Sequence, residues 1–310
     1  MWAITTFFNP KKYEQRLYNF RQFRSELSIP LVVVELSFDG SFEIGLHEAD
    51  IVVRINGGAL VWQKERLLSI ALQHVPKDIL YIAWLDCDVL FGDSEWISKA
   101  IHELQRYPIV QLFSELVDLK KGQHRIPPNE HLLAPRGYGI AGLVKERAVR
   151  DTDFSPSNTA DVRQCAFGLA WAARRELLHA HNFYDAMIIG GGDRAMVCAM
   201  YGRFNDAVNS LVMNSSRETH YLRWASPYFE SVNGRVGHLP GQLFHLWHGD
   251  IQHRRYRERH KELSLFDLNP TTDLVVGANG AWEWRRDDKS LHSFFSQYFA
   301  NRFEDGFDAL

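Results

Sequence analysis

Three cysteines in 310 residues, Cys87, Cys165 and Cys198, are too few and too scattered for a disulfide framework or a cysteine metal site. Their scarcity points to a reducing, cytoplasmic setting. No window approaches the roughly 20 apolar residues of a membrane helix, so no stable membrane insertion is expected. The start, Trp2-Ala3-Ile4-Thr5-Thr6-Phe7-Phe8, has neither the basic region nor the cleavage site of a signal peptide. A net charge of −3 gives no global field that would draw the chain to nucleic acid or membrane, which leaves only local patches. Internal repeats and low-complexity tracts are also lacking. What is present is 45% hydrophobic and 13% aromatic content, over a length ample for one large or two closely packed domains.

Apolar runs and helical patterns alternate through the first half. Residues 2–8 read as a buried strand closed by Asn9-Pro10. Residues 12–27 carry Tyr13, Leu17, Phe20, Phe23 and Leu27 at helical spacing. Strands follow at 29–36 and 51–55, then a helix over 60–72, the apolar stretch 79–91, a helix over 94–106 and a strand at 109–113. Such alternation predicts an α/β fold with a doubly wound, mostly parallel sheet flanked by helices. Residues 120–142, with Pro127-Pro128, Pro135 and the glycines Gly137, Gly139 and Gly142, read as a long loop over the site or a plain surface excursion. A strand at 165–172 and helices over 174–181 and from Gly190 to about Met200 come next. The last 90 residues have less regular periodicity and are expected to wrap the sheet. The division is 1–250 for the catalytic domain and 251–310 for a helical and loop extension packed on it.

The stretch 79–91 runs Ile-Leu-Tyr-Ile-Ala-Trp-Leu straight into Asp86-Cys87-Asp88. Two carboxylates cannot end a buried strand unpaired, so they belong at the mouth of the sheet, where open α/β folds bind ligands. Oxygen ligands of this kind suit Mg²⁺ or Mn²⁺ shared with a diphosphate; the plainer alternative is a strand end and turn. In Gly190-Gly191-Gly192-Asp193 three glycines allow close backbone approach, and a carboxylate is favoured at a helix start. An ordinary glycine turn capped by Asp193 would look the same. His245-Leu246-Trp247-His248-Gly249-Asp250 offers neutral imidazoles, good borderline metal ligands, against the alternative of structural histidines. The run 253–261 carries five cations and one Glu. It is either a solvated helix face, a clamp on phosphates or a seat for an anionic partner such as nucleic-acid backbone. Lys64, in Trp62-Gln63-Lys64-Glu65-Arg66, opens a helix from which a cation can reach a diphosphate, and Arg54 ends the third strand.

Strand order, the Asp-x-Asp strand end and these later motifs resemble the GT-A class of nucleotide-sugar glycosyltransferases. The resemblance implies a Rossmann-like catalytic sheet with Asp88 as main metal ligand and Asp86 on the ribose or the metal. It also implies a further metal ligand from His245 or His248, with His248 beside the flexible Gly249 chosen for the metal and His245 for the donor. Thr5, Thr6 and Phe7 would hold the nucleoside, with Arg54 and Lys64 as further donor contacts. Asp193 would be the general base of an inverting transfer, next to Gly191 and Gly192, with Trp171 as a stacking surface or simply core. His-Leu-Trp-His-Gly-Asp with Arg255-Tyr256 and Arg259-His260 is similar to a narrower group, the base J glucosyltransferase and phage TET-associated DNA glycosyltransferases. That likeness implies a UDP-sugar such as UDP-glucose as donor, Mn²⁺ or Mg²⁺ as cofactor, and the hydroxymethyl oxygen of a modified pyrimidine in DNA as acceptor. Arg254, Arg255 and Arg257, with Trp224 and Tyr228, would then support a base held outside the stack. The alternatives are a glycosyltransferase acting on a surface polysaccharide or lipid-linked glycan, with residues 294–303 as a weak membrane anchor, and an inactive nucleotide-sugar-binding protein.

Overall fold

The first run of alternating elements builds the centre of the molecule. β1 (Trp2–Phe8) pairs in parallel with β2 (Leu31–Ser37), which is buried along its whole length, and β2 in turn with β3 (Ile51–Asn56). β4 (Tyr81–Leu85) pairs with the other edge of β1, again in parallel. Near-continuous apolar runs are what a strand covered on both faces requires. The helices Glu14–Glu26 and Lys64–His74 make the crossovers from β1 to β2 and from β3 to β4. The computed structural model describes residues 1–129, 133–146, 154 and 165–306.

A seven-stranded mixed sheet results. In order it runs β11 (Val236–His238), β6 (Ile109–Gln111), β10 (Ala170–Arg174), β4, β1, β2, β3. Only β10 is antiparallel to its neighbours, so the expected mostly parallel, doubly wound α/β sheet is present. Strand order reverses between β1 and β4. The carboxyl ends of those two strands therefore open onto a crevice, the place where such sheets bind ligands.

A second sheet of five strands was not read from the sequence. Its order is β5 (Val89–Phe91), β12 (Gln242–His245), β7 (Glu115–Asp118), β8 (Gly137–Gly139) and β9 (Cys165–Ala166). Several expectations are corrected by it. The stretch 79–91 is two strands in two sheets, broken at the Asp86-Cys87-Asp88 step. The strand expected at 165–172 is likewise divided, because Leu169 takes a left-handed φ of 77° between β9 and β10. Residues 120–142 are not one loop, since β8 and the start of the helix Ile140–Lys145 lie within them; residues 130–132 fall outside the described set. The helix expected from residue 60 begins only at Lys64. Before it, Ala59 N–H donates to Trp282 O and Trp62 N–H to Ile188 O, while the Gln63 amide is held by Ala59 and Trp282.

The C-terminal region supplies β11 and β12, the 18-residue helix Ser215–Val232 and the helix Lys289–Ala300. Phe295, Tyr298 and Phe299 of that last helix are buried, so the main apolar side chains of residues 294–303 are packed in the core. Among the described residues no helix is long and apolar enough to cross a membrane.

Candidate active site

The two sheets meet where β4 ends. Leu85 closes β4, Asp86 N–H donates to Leu169 O, and Asp88 O accepts from Leu246 N–H before β5 starts. In the second sheet Val89 lies opposite His245, and His245 lies beside Asp118. Pairing thus brings an aspartate and a histidine far apart in sequence to one point. His248 follows in a turn through Gly249 (φ 82°), where an added Cβ would lie 2.7 Å from Phe303 O. Only glycine lets the 302–304 segment cross so closely over the turn.

Asp88, His245 and His248 present their ligand atoms to one another within 4.8 Å. His248 Nε2 is 3.0 Å from Asp88 Oδ2, His245 Nε2 is 3.9 Å from the same oxygen, and the two Nε2 atoms are 3.2 Å apart. On its far side His245 Nδ1 faces Asp118 Oδ1 at 3.2 Å, and Asp118 is paired with Arg136. A carboxylate behind an imidazole fixes the proton on Nδ1 and leaves the Nε2 lone pair forward, an arrangement typical of metal-binding histidines. Burial, then Arg254, pushes His248 down to about 4, so it is a neutral ligand near neutral pH. Asp88 Oδ1 is buried with no hydrogen-bond partner among the described residues. A buried carboxylate oxygen and two imidazole lone pairs aimed at one point fit a divalent cation.

A second charged group faces this trio. Lys64, 8% exposed at the first turn of its helix, places Nζ 2.6 Å from Asp86 Oδ1 and 3.0 Å from Asp193 Oδ2. Burial works against the charge, but Asp193, Asp86 and Glu65 hold the ammonium's pKa well above its usual value. Burial pushes Asp86 up to about 6, Lys64 opposing and Asp193 adding to the rise. Burial, reinforced by Asp193, lifts Glu65 to about 8, and its Oε1 has no partner among the described residues. Gly192 and Gly168 pack directly on this group: an added Cβ would overlap the Glu65 side chain at the first and the Asp193 carboxylate at the second.

Both groups line one cavity of about 590 Å³, together with Thr6, Gly191, Arg254 and Arg257. The residues assigned from the sequence are placed as follows. Asp86 is held by Lys64 and stands outside the convergent trio, whose third member is His245. Thr5 is buried in mid-strand, donating to Leu85 O, and Phe7 packs edge-on against Phe20. Arg54 is at the edge strand β3, where it donates to Ile44 O and lies over the Phe42 ring. Trp171 is core: it stacks on Trp84 and donates to Phe167 O. Arg255 is paired with Glu262 beside a different cavity. Trp224 and Tyr228 stack on each other near His181, which accepts from Trp224 through its backbone carbonyl. Gly192 is filled by Glu65, so only Gly191 of that pair lies on the cavity wall.

Other lining residues escaped sequence reasoning. Arg16 and Arg302 both pair with Glu304, whose carboxyl they hold well below the usual range against the effect of burial. Nothing in the local pattern of residues 302–304 distinguishes them from a solvated tail. Arg259 and His260 had a signal: with Leu263 they form the buried face of the helix Glu258–Ser264.

No protein-family model matches the chain, and no curated protein matches it. Among solved structures it is similar to a putative nucleotide-diphospho-sugar transferase from Desulfovibrio desulfuricans, at 12% identity over 99% of this chain and 98% of that one, with a TM-score of 0.36. It is also similar to 4-diphosphocytidyl-2C-methyl-D-erythritol synthase from Anaerococcus prevotii (12% identity, 77% and 86% covered, TM-score 0.33). A third is mouse xyloside xylosyltransferase 1 (12% identity, 79% and 96% covered, TM-score 0.33).

Proposed function

We propose that this protein is a metal-dependent glycosyltransferase that moves a hexose from a UDP-sugar to a hydroxyl acceptor with inversion. The observation that carries the reading is the convergence of Asp88 Oδ2, His245 Nε2 and His248 Nε2 on one cavity wall, with Asp193 on the same cavity. One carboxylate and two imidazoles suit Mn²⁺ better than Mg²⁺, which prefers oxygen alone. When bound there, the ion supplies neutralisation of the charge that builds on the departing nucleoside diphosphate. Arg254, 8% exposed and with its Nε unpartnered among the described residues, adds a fixed positive charge beside Asp88. Thr6 at the end of β1 contributes to the nucleoside end of the cavity.

Lys64 contacts both oxygens of Asp193, at 3.2 Å and 3.0 Å, and orients the carboxylate at the start of the helix Gly192–Met200. In the reaction the acceptor oxygen bonds to the anomeric carbon as its proton passes to Asp193. The bond from that carbon to the diphosphate oxygen breaks, and its electron pair leaves with the nucleoside diphosphate. Residues 251–310 belong to the catalytic unit in this reading, because Arg254, Arg257 and Arg302 line the cavity.

For the acceptor we favour the hydroxymethyl group of a modified pyrimidine in DNA, supported by the sequence resemblance and the cationic wall. The test is calorimetric titration of UDP-glucose and UDP-galactose with and without Mn²⁺, followed by transfer of labelled hexose to hydroxymethylcytosine-containing DNA. Manganese-dependent binding and label on the DNA are the expected results. Binding without transfer to DNA moves the acceptor to glycans, and no binding of any nucleotide sugar in the presence of metal overturns the reading.

A further inference from the structure

The cavity holds more positive charge than the proposed donor uses. Arg16 and Arg302 share Glu304, Arg136 is paired with Asp118, and Lys64 lies between Asp86 and Asp193. A nucleotide-sugar diphosphate and a divalent cation cancel one another, and Asp88 then stands opposite Arg254. Beyond these and Arg257, the cavity wall carries Arg194 and Arg259. Neither has a carboxylate partner among the described residues. Arg194 donates to Phe154 O and lies 3.9 Å over the Phe167 ring. Arg259, 6% exposed, donates to Tyr298 Oη, and its Nε is buried without a partner among the described residues. His260 adds no counter-charge: burial, then Arg259, Arg217 and Arg194, drives its pKa far down, and its buried Nδ1 is also unpartnered among the described residues.

These guanidiniums line the same cavity as Asp193. Arg194 directly follows Asp193, and Arg259 lies against Gly190, where an added Cβ would be 3.0 Å from Nη2. Gly190 and Gly191 both have left-handed φ angles, 86° and 93°, so the backbone there is bare of side chain. Desolvated cations without partners are costly, and an anionic ligand removes that cost when it binds. Two guanidiniums reaching from different helices match the several oxygens of a tetrahedral phosphate better than one planar carboxylate.

We propose that Arg194 and Arg259 form a second anion subsite, beside Asp193, that holds a phosphate ester of the acceptor. This rests on the glycosyltransferase reading for its assignment of the remaining charges to donor and metal. A phosphodiester of a nucleic-acid strand and a phosphate on a sugar share the required chemistry. Both arginines line the same cavity as Asp193, so the accepting hydroxyl and the phosphate belong to one acceptor molecule.

The experiment is calorimetric titration of the full chain, alone and saturated with UDP and Mn²⁺. The probes are the dinucleotide d(TpT), its uncharged methylphosphonate, and glucose 6-phosphate. The expected result is that d(TpT) or glucose 6-phosphate binds with UDP and Mn²⁺ already in place, and the methylphosphonate does not. Binding by d(TpT) identifies a nucleic-acid source, and by glucose 6-phosphate alone a phosphosugar. Arg194→Gln and Arg259→Gln should each weaken the bound probe roughly tenfold or more, the scale of a lost charge-assisted hydrogen bond, while UDP–Mn²⁺ affinity changes less than about twofold. Arg194 is only half-buried, so its variant tests the idea even if Arg259→Gln melts early. Equal binding of the methylphosphonate, no binding of either phosphate, or equal loss of UDP in the variants overturns the subsite. If UDP–Mn²⁺ fails to bind the wild type while the arginine-dependent phosphate binding persists, the subsite stands and the glycosyltransferase assignment falls.

Discussion

At the scale of single residues, the proposed reaction gives Asp88 and Asp193 different duties, and substitution separates them. Asp193→Asn removes the proton acceptor and leaves the Asp88–His245–His248 trio untouched. Manganese-dependent UDP-sugar binding should survive and turnover should fall by about 10²–10⁴-fold, the usual contribution of a positioned base. A labelled-sugar transfer assay beside calorimetry reads both quantities, and normal transfer by the variant removes the base assignment. Asp88→Ala should abolish turnover together with metal-dependent donor binding. Glu65 gives a pH prediction. Its folded pKa of about 8 lies above the ordinary 4.5, so the folded chain holds a proton that the unfolded chain releases. Stability contributed at this position therefore declines as pH rises from 4.5 toward 8, at up to about 1.4 kcal/mol per pH unit, and levels off above. Glu65→Gln keeps the neutral shape and should flatten that slope, raising the melting temperature at pH 8 more than at pH 5. Equal shifts at both pH values would show that Glu65 is ionised in the fold.

At the scale of elements, the second sheet is what brings Asp88, His245 and His248 together. β12 carries His245 opposite Val89 of β5, with Phe244 fully buried beside it. Phe244→Ala should cost about 3–5 kcal/mol through the cavity it leaves. It should also weaken Mn²⁺ binding by loosening the register that holds His245. A denaturant melt and a metal titration check the two effects, and unchanged metal affinity would mean that the turn at Gly249, not β12, fixes the site. The central strands and the five helices up to Met200 that flank them were legible because their apolar residues follow strand or helix periods, whereas the helices Ser215–Val232 and Lys289–Ala300 were not read. β5, β7, β8, β9, β11 and β12 span two to four residues each, too short for periodicity to announce. β10 was readable as a strand, but its antiparallel direction was not, since direction depends on where the chain returns and leaves no mark on composition.

At the scale of the whole molecule, the ends of the chain close over the middle. Arg16 of the first helix meets Glu304, and Asn19 donates to Trp247 O, so the histidine turn is clamped between the two termini of the fold. Binding energy at this junction is shared with folding. Mn²⁺ at about 100 times its dissociation constant should add roughly 2.7 kcal/mol to global stability by mass action. The corresponding rise in melting temperature should vanish in His245→Ala. A rise that persists would place the ion elsewhere.

By itself the sequence determined the α/β class, the placing of Asp86 and Asp88 at the mouth of the sheet, and three of the motifs that meet there. It could do so because buried parallel strands need unbroken apolar runs, and because carboxylates at their ends have no place except a solvent-facing crevice. Only the tertiary structure decided which atoms share that crevice. Asp86 turned out to belong to Lys64, and His245 to the trio with Asp88. Thr5, Phe7 and Trp171 belong to the core, and Arg194, Arg259 and Glu304 line the site or support its wall. Motif and spacing identify residue types along a strand or helix. Whether an ionisable side chain meets a counter-charge, a metal or a substrate depends on contacts between segments hundreds of residues apart, and those are fixed by register and packing.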